Sequence, residues 1–206
     1  MKKLRKGMMV VLSSPSGAGK TTLCKKIIEL DKKIKMSISV TTRPKRKSEN
    51  EGVDYFFKSK KDFIDLQNKN FFIETARVFN YFYGTPKKYV EKELLNGKDI
   101  LFDIDWQGTQ KLADYSRSDL VSIFILPPST KILKQRLKKR AEDSNEIVRN
   151  RMKKAKSEIS HWIEYDYVLI NDNIEECTRK LLEIIKGERL KRSRQKFIFE
   201  FVNNLL

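Results

Sequence analysis

The chain has 206 residues, of which 39% are hydrophobic and 34% are charged, a balance typical of one globular domain with a buried core. No apolar run approaches the roughly 18 residues of a membrane span, and the apolar stretch behind the basic N-terminus is too short for a signal peptide. Because the two cysteines also lack metal-ligand spacing, we predict a reduced, cytoplasmic setting and no membrane partner.

The formal net charge of +17 raises the possibility of nucleic-acid binding, but the charge is unevenly distributed. Residues 131–156 contain eleven basic and three acidic residues, and residues 186–196 contain six basic and one acidic residue. Much of the remaining excess is lysine scattered over faces that we expect to be solvated. A small ligand rich in phosphate explains the concentrated segment at least as well as a polyanion does.

Predicted strands and helices alternate from the start of the chain. An apolar run predicts a strand over Met8–Leu12, and apolar residues near one face predict a helix over Thr21–Leu30. Between residues 35 and 90 the sequence becomes rich in aromatic residues. There, a helix begins at Ser59 with Asp62 in capping-box position. It is flanked by the β-type runs Ser37–Thr42, Val53–Phe57 and Phe71–Phe79.

The alternation resumes in the second half of the chain. The later predicted strands are Ile100–Ile104, Val121–Leu126 and Tyr167–Ile170. The later predicted helices lie within Pro128–Arg140, over Asn145–Ile163 and from Ile174 onward. Strands that alternate with helices indicate an α/β fold with three layers and a parallel sheet, in which ligands bind beyond the carboxyl ends of the strands.

The segment that follows the first strand is typical of a phosphate-binding loop. It reads, in order, Ser14, Pro15, Ser16, Gly17, Ala18, Gly19, Lys20, Thr21 and Thr22. Gly17 and Gly19 allow several backbone N–H groups to point inward, and the next helix adds the positive end of its dipole. Lys20 supplies a charge for the β- and γ-phosphates, and the Thr21 hydroxyl is placed to ligate Mg²⁺. Ser14 stands where the strict motif has glycine.

Several blocks in order resemble guanylate kinases over about residues 7 to 190. They read SSPSGAGKTTL, SVTTRPKR, GVDYFF, FIETARVFNYFYGT, DILFDIDWQG, RLKKR and VLINDN. The resemblance implies a P-loop kinase core (residues 7–36, 91–127 and 165–190), a small mixed α+β insertion that binds GMP (37–90), a helical lid (128–164) and a basic C-terminal tail (191–206). It implies transfer of phosphate from ATP to GMP, which recycles purine nucleotides, with Mg²⁺ as cofactor, and it leaves monomer and homodimer open.

The same resemblance implies the residues of the acceptor site. They are Ser39, Arg43, Arg46, Tyr55, Glu74, Tyr83, Thr85 and Asp105. Two arginines three positions apart can bind one phosphate through their planar donors, and one carboxylate matches the two adjacent N–H donors of guanine. From the residues alone, packing in the insertion is the favoured interpretation of Tyr55 and Tyr83, and Glu74 could equally face solvent.

For catalysis, the resemblance implies Lys20, Arg43, Asp103, Arg140 and Arg151. A phosphate monoester with a second pKa of about 6 is already largely anionic at pH 7, so no general base is required. On the ATP side, the resemblance adds Arg136 and Arg140 of the lid and an asparagine that contacts adenine, Asn171, although Asn-Asp after a strand is also ordinary turn chemistry. Ala141 stands where the family usually has glycine.

Two other classes of protein remain open at this point. A silent, kinase-like interaction module is disfavoured because the phosphate loop and every acceptor residue are present. A nucleic-acid-binding protein is disfavoured because the basic residues 131–156 include no aromatic residue on which a base could stack. We therefore expect ATP and GMP as partners and no specific nucleic acid.

Overall fold

Nine strands and eight α-helices are present in the residues that the computed structural model describes, namely 5–47, 49–78, 80–140 and 145–206. The strands are β1 (Met9–Ser13), β2 (Ile34–Met36), β3 (Val40–Thr41), β4 (Phe56–Phe57), β5 (Phe72–Val78), β6 (Tyr81–Pro86), β7 (Asp99–Asp103), β8 (Leu120–Leu126) and β9 (Tyr167–Ile170). The helices are α1 (Lys20–Leu30), α2 (Lys60–Asn68), α3 (Lys87–Leu95), α4 (Trp106–Ser116), α5 (Thr130–Arg140), α6 (Asn145–Ile159), α7 (Ile174–Arg189) and α8 (Ile198–Asn203).

The central sheet has the strand order β2-β7-β1-β8-β9, and all of its neighbouring pairs are parallel. Every residue of β1 is buried, as expected for a parallel strand that is covered on both faces. Alternate residues of the strand enter different cores. Val10 packs with residues of α1 and α7, and Val11 packs with residues of α3 and α4. The predicted α/β class with three layers and a parallel sheet is confirmed.

A second, four-stranded sheet of order β4-β3-β6-β5 lies within the aromatic-rich segment. It is mixed, because β3 pairs with β4 in parallel and with β6 antiparallel. Helix α2 is anchored on this sheet by the fully buried Phe63, whose ring stacks on Phe72 at 4.7 Å and on Phe82 at 5.5 Å. The helix begins as predicted, since the Ser59 hydroxyl accepts a hydrogen bond from the Asp62 backbone N–H at 3.1 Å.

Some predicted boundaries were wrong. The strand predicted over Ser37–Thr42 is interrupted, because Ser37 still donates its N–H to Leu101 of the central sheet before the chain crosses to β3. The run predicted from Val53 is a strand only at Phe56–Phe57. The helix predicted over Asn145–Ile163 ends at Ile159 and continues as a 3₁₀ turn. Strands β2 and β6 and helices α3, α4 and α8 were not predicted.

Helices α5 and α6 form a separate hairpin with its own small apolar core of Leu133, Leu137 and Ala155, against which Met152 packs. Beyond α7, the tail returns to the core, where the buried Arg194 donates to the Glu188 backbone carbonyl and carboxylate at 3.1 and 3.3 Å. No helix in the described part of the chain is both long and apolar enough to span a membrane.

Candidate active site

The loop between β1 and α1 lies at the carboxyl edge of the central sheet, as predicted. Gly17 and Gly19 have φ angles of 92° and 101°, in the left-handed region that favours glycine. A Cβ atom on Gly19 would lie 2.4 Å from Asn171 Nδ2, so no side chain fits there without displacing Asn171. The surrounding cavity has a volume of about 1010 Å³. Its lining includes Ser14, Pro15, Ser16, Gly17, Gly19, Lys20, Thr21, Thr22, Asp105, Arg136 and Asn171.

The side chain of Asn171 stabilises the phosphate loop by a hydrogen bond. Its side chain is buried, and Nδ2 donates a hydrogen bond of 2.7 Å to the backbone carbonyl of the buried Ala18. Among the described residues, Oδ1 of Asn171 has no hydrogen-bond partner. The structure therefore gives Asn171 a role in shaping the loop, which the sequence did not indicate. It leaves one amide oxygen available beside the cavity.

Lys20 points across the sheet to the end of β7. Its Nζ atom lies 2.7 Å from Asp103 Oδ1 and donates to the Ile104 carbonyl at 3.2 Å. Asp103 also lines a second cavity of about 420 Å³ together with Thr21, Ser39 and Tyr55. The phosphate loop and the predicted acceptor side thus meet at the Lys20–Asp103 pair.

Arg43 is held by a carboxylate and by aromatic rings. Its Nη2 atom donates to Glu49 Oε1 at 2.6 Å, and its guanidinium carbon lies 5.4 Å from the centre of the Tyr55 ring. Tyr83 packs edge-on against Tyr55 with 6.0 Å between the ring centres, and the pKa of the Arg43 guanidinium is raised by Glu49 first and less strongly by Tyr83. The structure brings together Arg43, Tyr55 and Tyr83, which were predicted to bind phosphate. The two tyrosine rings pack against each other, and the Tyr55 ring also contacts the arginine.

Glu49 is the main residue that the sequence analysis missed. Its second oxygen accepts the backbone N–H of Arg46 at 2.9 Å, while the Arg46 side chain is exposed. The hydrogen bond from Arg43 and the one from Arg46 lower the pKa of the Glu49 carboxyl, so it is an anion at neutral pH. The available signal was an acidic residue that follows closely after two arginines predicted to bind the same phosphate. The structure shows that this carboxylate fixes the loop carrying both.

Glu49→Gln is expected to raise the KM for GMP, the acceptor that the resemblance implies, about three- to tenfold, because Arg43 loses its charged hydrogen-bond acceptor and the loop becomes less ordered. The kcat and the KM for ATP should change little. Steady-state kinetics with each substrate varied in turn measure both effects. An unchanged KM for GMP would mean that Glu49 is not needed to hold the arginine.

Glu74 on β5 is 5% exposed, which excludes the solvent-facing alternative. Its Oε1 atom accepts a hydrogen bond of 2.7 Å from the Thr85 hydroxyl on β6. Burial raises the pKa of Glu74, although Thr85 and the nearby Lys111 oppose this shift and Asp105 adds to it. Asp105 itself caps α4 by accepting the Gly108 N–H at 3.1 Å. A buried carboxylate with one hydrogen-bond donor still has room for further donors.

Because the Glu74 carboxylate is buried, its contribution to the free energy of unfolding depends on pH. Because the folded-state pKa of Glu74 lies above its unfolded value, its contribution to folding is fully present below the unfolded pKa and is lost as the pH rises through the folded pKa. Glu74→Gln should therefore raise the Tm of the unliganded protein at pH 7.5. The gain should shrink toward zero near pH 4, where glutamate is largely protonated in both states.

Thermal unfolding at the two pH values measures this difference. Glu29→Gln, at an exposed position on α1, is the control that removes the same charge without relieving burial. A Glu74→Gln variant less stable than the parent at pH 7.5 would contradict the assignment of burial as the dominant cause.

Of the predicted lid arginines whose side chains the structure describes, only Arg136 lines the cavity around the phosphate loop. Arg136 on α5 lines the larger cavity, and its guanidinium donates to the Asn171 backbone carbonyl at 3.3 and 3.4 Å. From α6, Glu158 accepts the Ser16 N–H at 3.3 Å. Arg151 lies on α6 but is not among the lining residues of this cavity. The Arg140 side chain and Ala141 lie outside the described part of the structure.

Comparison with known proteins identifies relatives along nearly the whole chain. The family model described as guanylate kinase matches residues 6–188. The chain is 49% identical to a guanylate kinase of Rhizobium etli, covering 98% of this chain and 92% of the relative. It is 50% identical to one of Paramagnetospirillum magneticum, covering 98% and 94%. The crystal structure of guanylate kinase from Anaplasma phagocytophilum is similar with a TM-score of 0.80 and 40% identity, covering 97% of this chain and 95% of that one.

Proposed function

The chain belongs to the guanylate kinase family and phosphorylates GMP with ATP, and we propose that the residues of the candidate site carry out this transfer. The observation that supports the proposal best is the position of the Lys20–Asp103 pair. It lies where the phosphate loop meets the cavity that Ser39 and Tyr55 of the predicted acceptor segment line. A donor and an acceptor bound on these two sides would place their phosphates at Lys20.

The donor side binds the triphosphate of ATP. The loop backbone from Gly17 to Thr21 and the N-terminus of α1 are assigned to the phosphates, since the first N–H groups of a helix have no partner within the helix and attract anions. Arg136 adds positive charge from α5, and Asn171, which lines the same cavity, is assigned to the adenine side. We assign Arg140 and Arg151 to the same charge neutralisation, with residues 128–164 as the lid that excludes water.

The acceptor side, residues 37–90, binds GMP. The phosphate is held by Arg43 and Arg46 together with the hydroxyls of Tyr55 and Tyr83. The guanine base is recognised by Glu74, whose unused acceptor capacity matches the adjacent N1–H and N2–H₂ donors. Ser39, Thr85 and Asp105 complete this side, with Thr85 orienting the Glu74 carboxylate.

Phosphoryl transfer needs positioning and charge neutralisation. An oxygen of the GMP phosphate attacks the γ-phosphorus, the bond to the β–γ bridging oxygen breaks, and ADP leaves with the electron pair. Lys20 exchanges Asp103 for the phosphoryl oxygens, where negative charge is redistributed during transfer. Arg43 holds the attacking phosphate in line. No proton need be removed, since the acceptor oxygen is already anionic.

The residues around Lys20 fit a magnesium ion. Mg²⁺ prefers oxygen ligands and usually binds through one or two protein groups together with phosphates and water. The Thr21 hydroxyl and the Asp103 carboxylate, which line one cavity, are of this kind. Thr21 would be a direct ligand, Asp103 would act directly or through water, and the ion would neutralise charge on the β- and γ-phosphates.

A coupled assay of ADP release tests the assignment of the acceptor. GMP, AMP, UMP and CMP are compared at equal concentration with ATP and Mg²⁺, and only GMP should support rapid turnover. Omission of Mg²⁺ should abolish it. Comparable turnover with AMP would contradict the proposed role of Glu74, and failure with all four acceptors would instead favour a silent interaction module.

A further inference from the structure

A second cleft lies between helices α5 and α6, and the proposed kinase mechanism does not use it. Its volume is about 560 Å³. Five cationic side chains line it, namely Lys134, Lys138, Arg149, Lys153 and Lys156. Val148 and Met152, which also line the cleft, supply apolar surface between them. Among the described residues, no carboxylate lines this cleft.

This basic cleft is on the side of the hairpin that faces away from the phosphate loop. On α5, Arg136 lines the phosphate-loop cavity, whereas Lys134 and Lys138 line the basic cleft. On α6, Glu158 lines the phosphate-loop cavity and Lys156 lines the basic cleft. Residues two apart on an α-helix point to nearly opposite sides. None of the five cations lines the phosphate-loop cavity.

The charges of the cleft are not balanced within the described part of the chain. None of the five cations forms an ion pair there, although other surface cations do, such as Lys26 with Glu175 and Arg179 with Glu183. Lys134 and Lys138 are four residues apart on one helix, as are Arg149 and Lys153 on the other, and like charges at this spacing destabilise a helix. An anion in the cleft would relieve repulsion within and between the helices.

We propose that the basic cleft binds a free inorganic polyphosphate chain. Lysine ammonium groups act as flexible point charges for phosphate, and four of the five cations are lysines. Among the described residues that line the cleft, none has an aromatic ring on which a nucleic-acid base could stack. The polyphosphate would contact both α5 and α6 in this cleft and would not compete with ATP.

The test measures anisotropy of a fluorescently labelled polyphosphate titrated with the full chain, in excess ADP and GMP to fill the nucleotide sites. The cleft variant is Lys134→Gln with Lys138→Gln, Lys153→Gln and Lys156→Gln. The matched control replaces the exposed Lys32, Lys61, Lys69 and Lys92 with glutamine, which removes the same net charge. The cleft variant should lose about tenfold or more in affinity with a shallower salt dependence, and the control less than about twofold.

Both variants should keep the circular dichroism spectrum and the cooperative thermal unfolding of the parent, which report that each has folded. If the quadruple variant does not fold, the pairs Lys134→Gln with Lys138→Gln and Lys153→Gln with Lys156→Gln test the two walls separately. Equal losses in cleft and control variants would overturn the proposal in favour of diffuse surface charge. Tight polyphosphate binding that is seen only when ADP and GMP are omitted would assign the binding to the nucleotide site. Tighter binding of single-stranded RNA to the same cleft would also overturn it.

Discussion

Lys20→Met is expected to lower kcat by about two to three orders of magnitude, the cost typical of removing one group that stabilises charge in a transition state. Methionine keeps the length of the side chain but removes the ammonium group that bonds Asp103 and the Ile104 carbonyl. The KM values for ATP and GMP should rise less than kcat falls, because the charge is needed most when the phosphoryl group lies between donor and acceptor.

Loss of fold would not explain this result. The Asp103 side chain that Lys20 leaves behind is 25% exposed, so water can solvate its carboxylate, and we expect only a small change in Tm. Lys32→Met, at an exposed lysine outside the site, is the control for the loss of charge and should keep full turnover. If Lys20→Met retained turnover near that of the parent, the assignment of the phosphate loop would be wrong.

The phosphate loop could be predicted because its determinants are local. Burial of β1, the two glycines with left-handed φ angles and the start of α1 follow one another within about a dozen residues. Each residue type there is explained by its immediate neighbours, through backbone conformation and helix-end chemistry. The α/β class was similarly accessible, since buried strands alternate with amphipathic helices over most of the chain.

Contacts between distant segments could not be predicted in this way. Asn171 supports the carbonyl of Ala18 from 153 positions away, and a polar turn after a strand gives no sign of that partner. Strand β2 has three residues with an exposed lysine at its centre, so it lacks an apolar pattern and exists because β7 pairs with it. The role of Glu49 depends on the folding of its own loop, which brings the carboxylate to Arg43 and Arg46.

Glu74→Gln is expected to lower kcat/KM for GMP between tenfold and over a hundredfold. The Thr85 hydroxyl already donates to Oε1, so a glutamine keeps its amide oxygen there and directs its NH₂ group to where the second carboxylate oxygen was. That NH₂ group would face an N–H donor of guanine. A buried polar group left unpaired costs about 1–3 kcal/mol, and more when charge is involved, which corresponds to these factors in rate.

Kinetics with GMP and AMP as acceptors measure the effect, with the KM for ATP expected to stay unchanged. The ratio of kcat/KM for GMP to kcat/KM for AMP should fall, because the value for GMP falls. AMP lacks the two N–H donors that the Glu74 carboxylate is proposed to accept. Thr85→Ser keeps the hydroxyl that orients Glu74 and should behave like the parent. Unchanged GMP kinetics in Glu74→Gln would mean that Glu74 does not contact the base.

The same substitution should stabilise the unliganded protein at pH 7.5, so its two effects have opposite signs. A residue buried only for packing would not produce this combination, since its replacement would leave substrate recognition unchanged or would weaken folding and activity together. The burial that raises the pKa of Glu74 costs stability until guanine supplies the missing donors. A higher Tm together with a lower kcat/KM for GMP would therefore identify Glu74 as a group whose cost in folding is offset by base recognition.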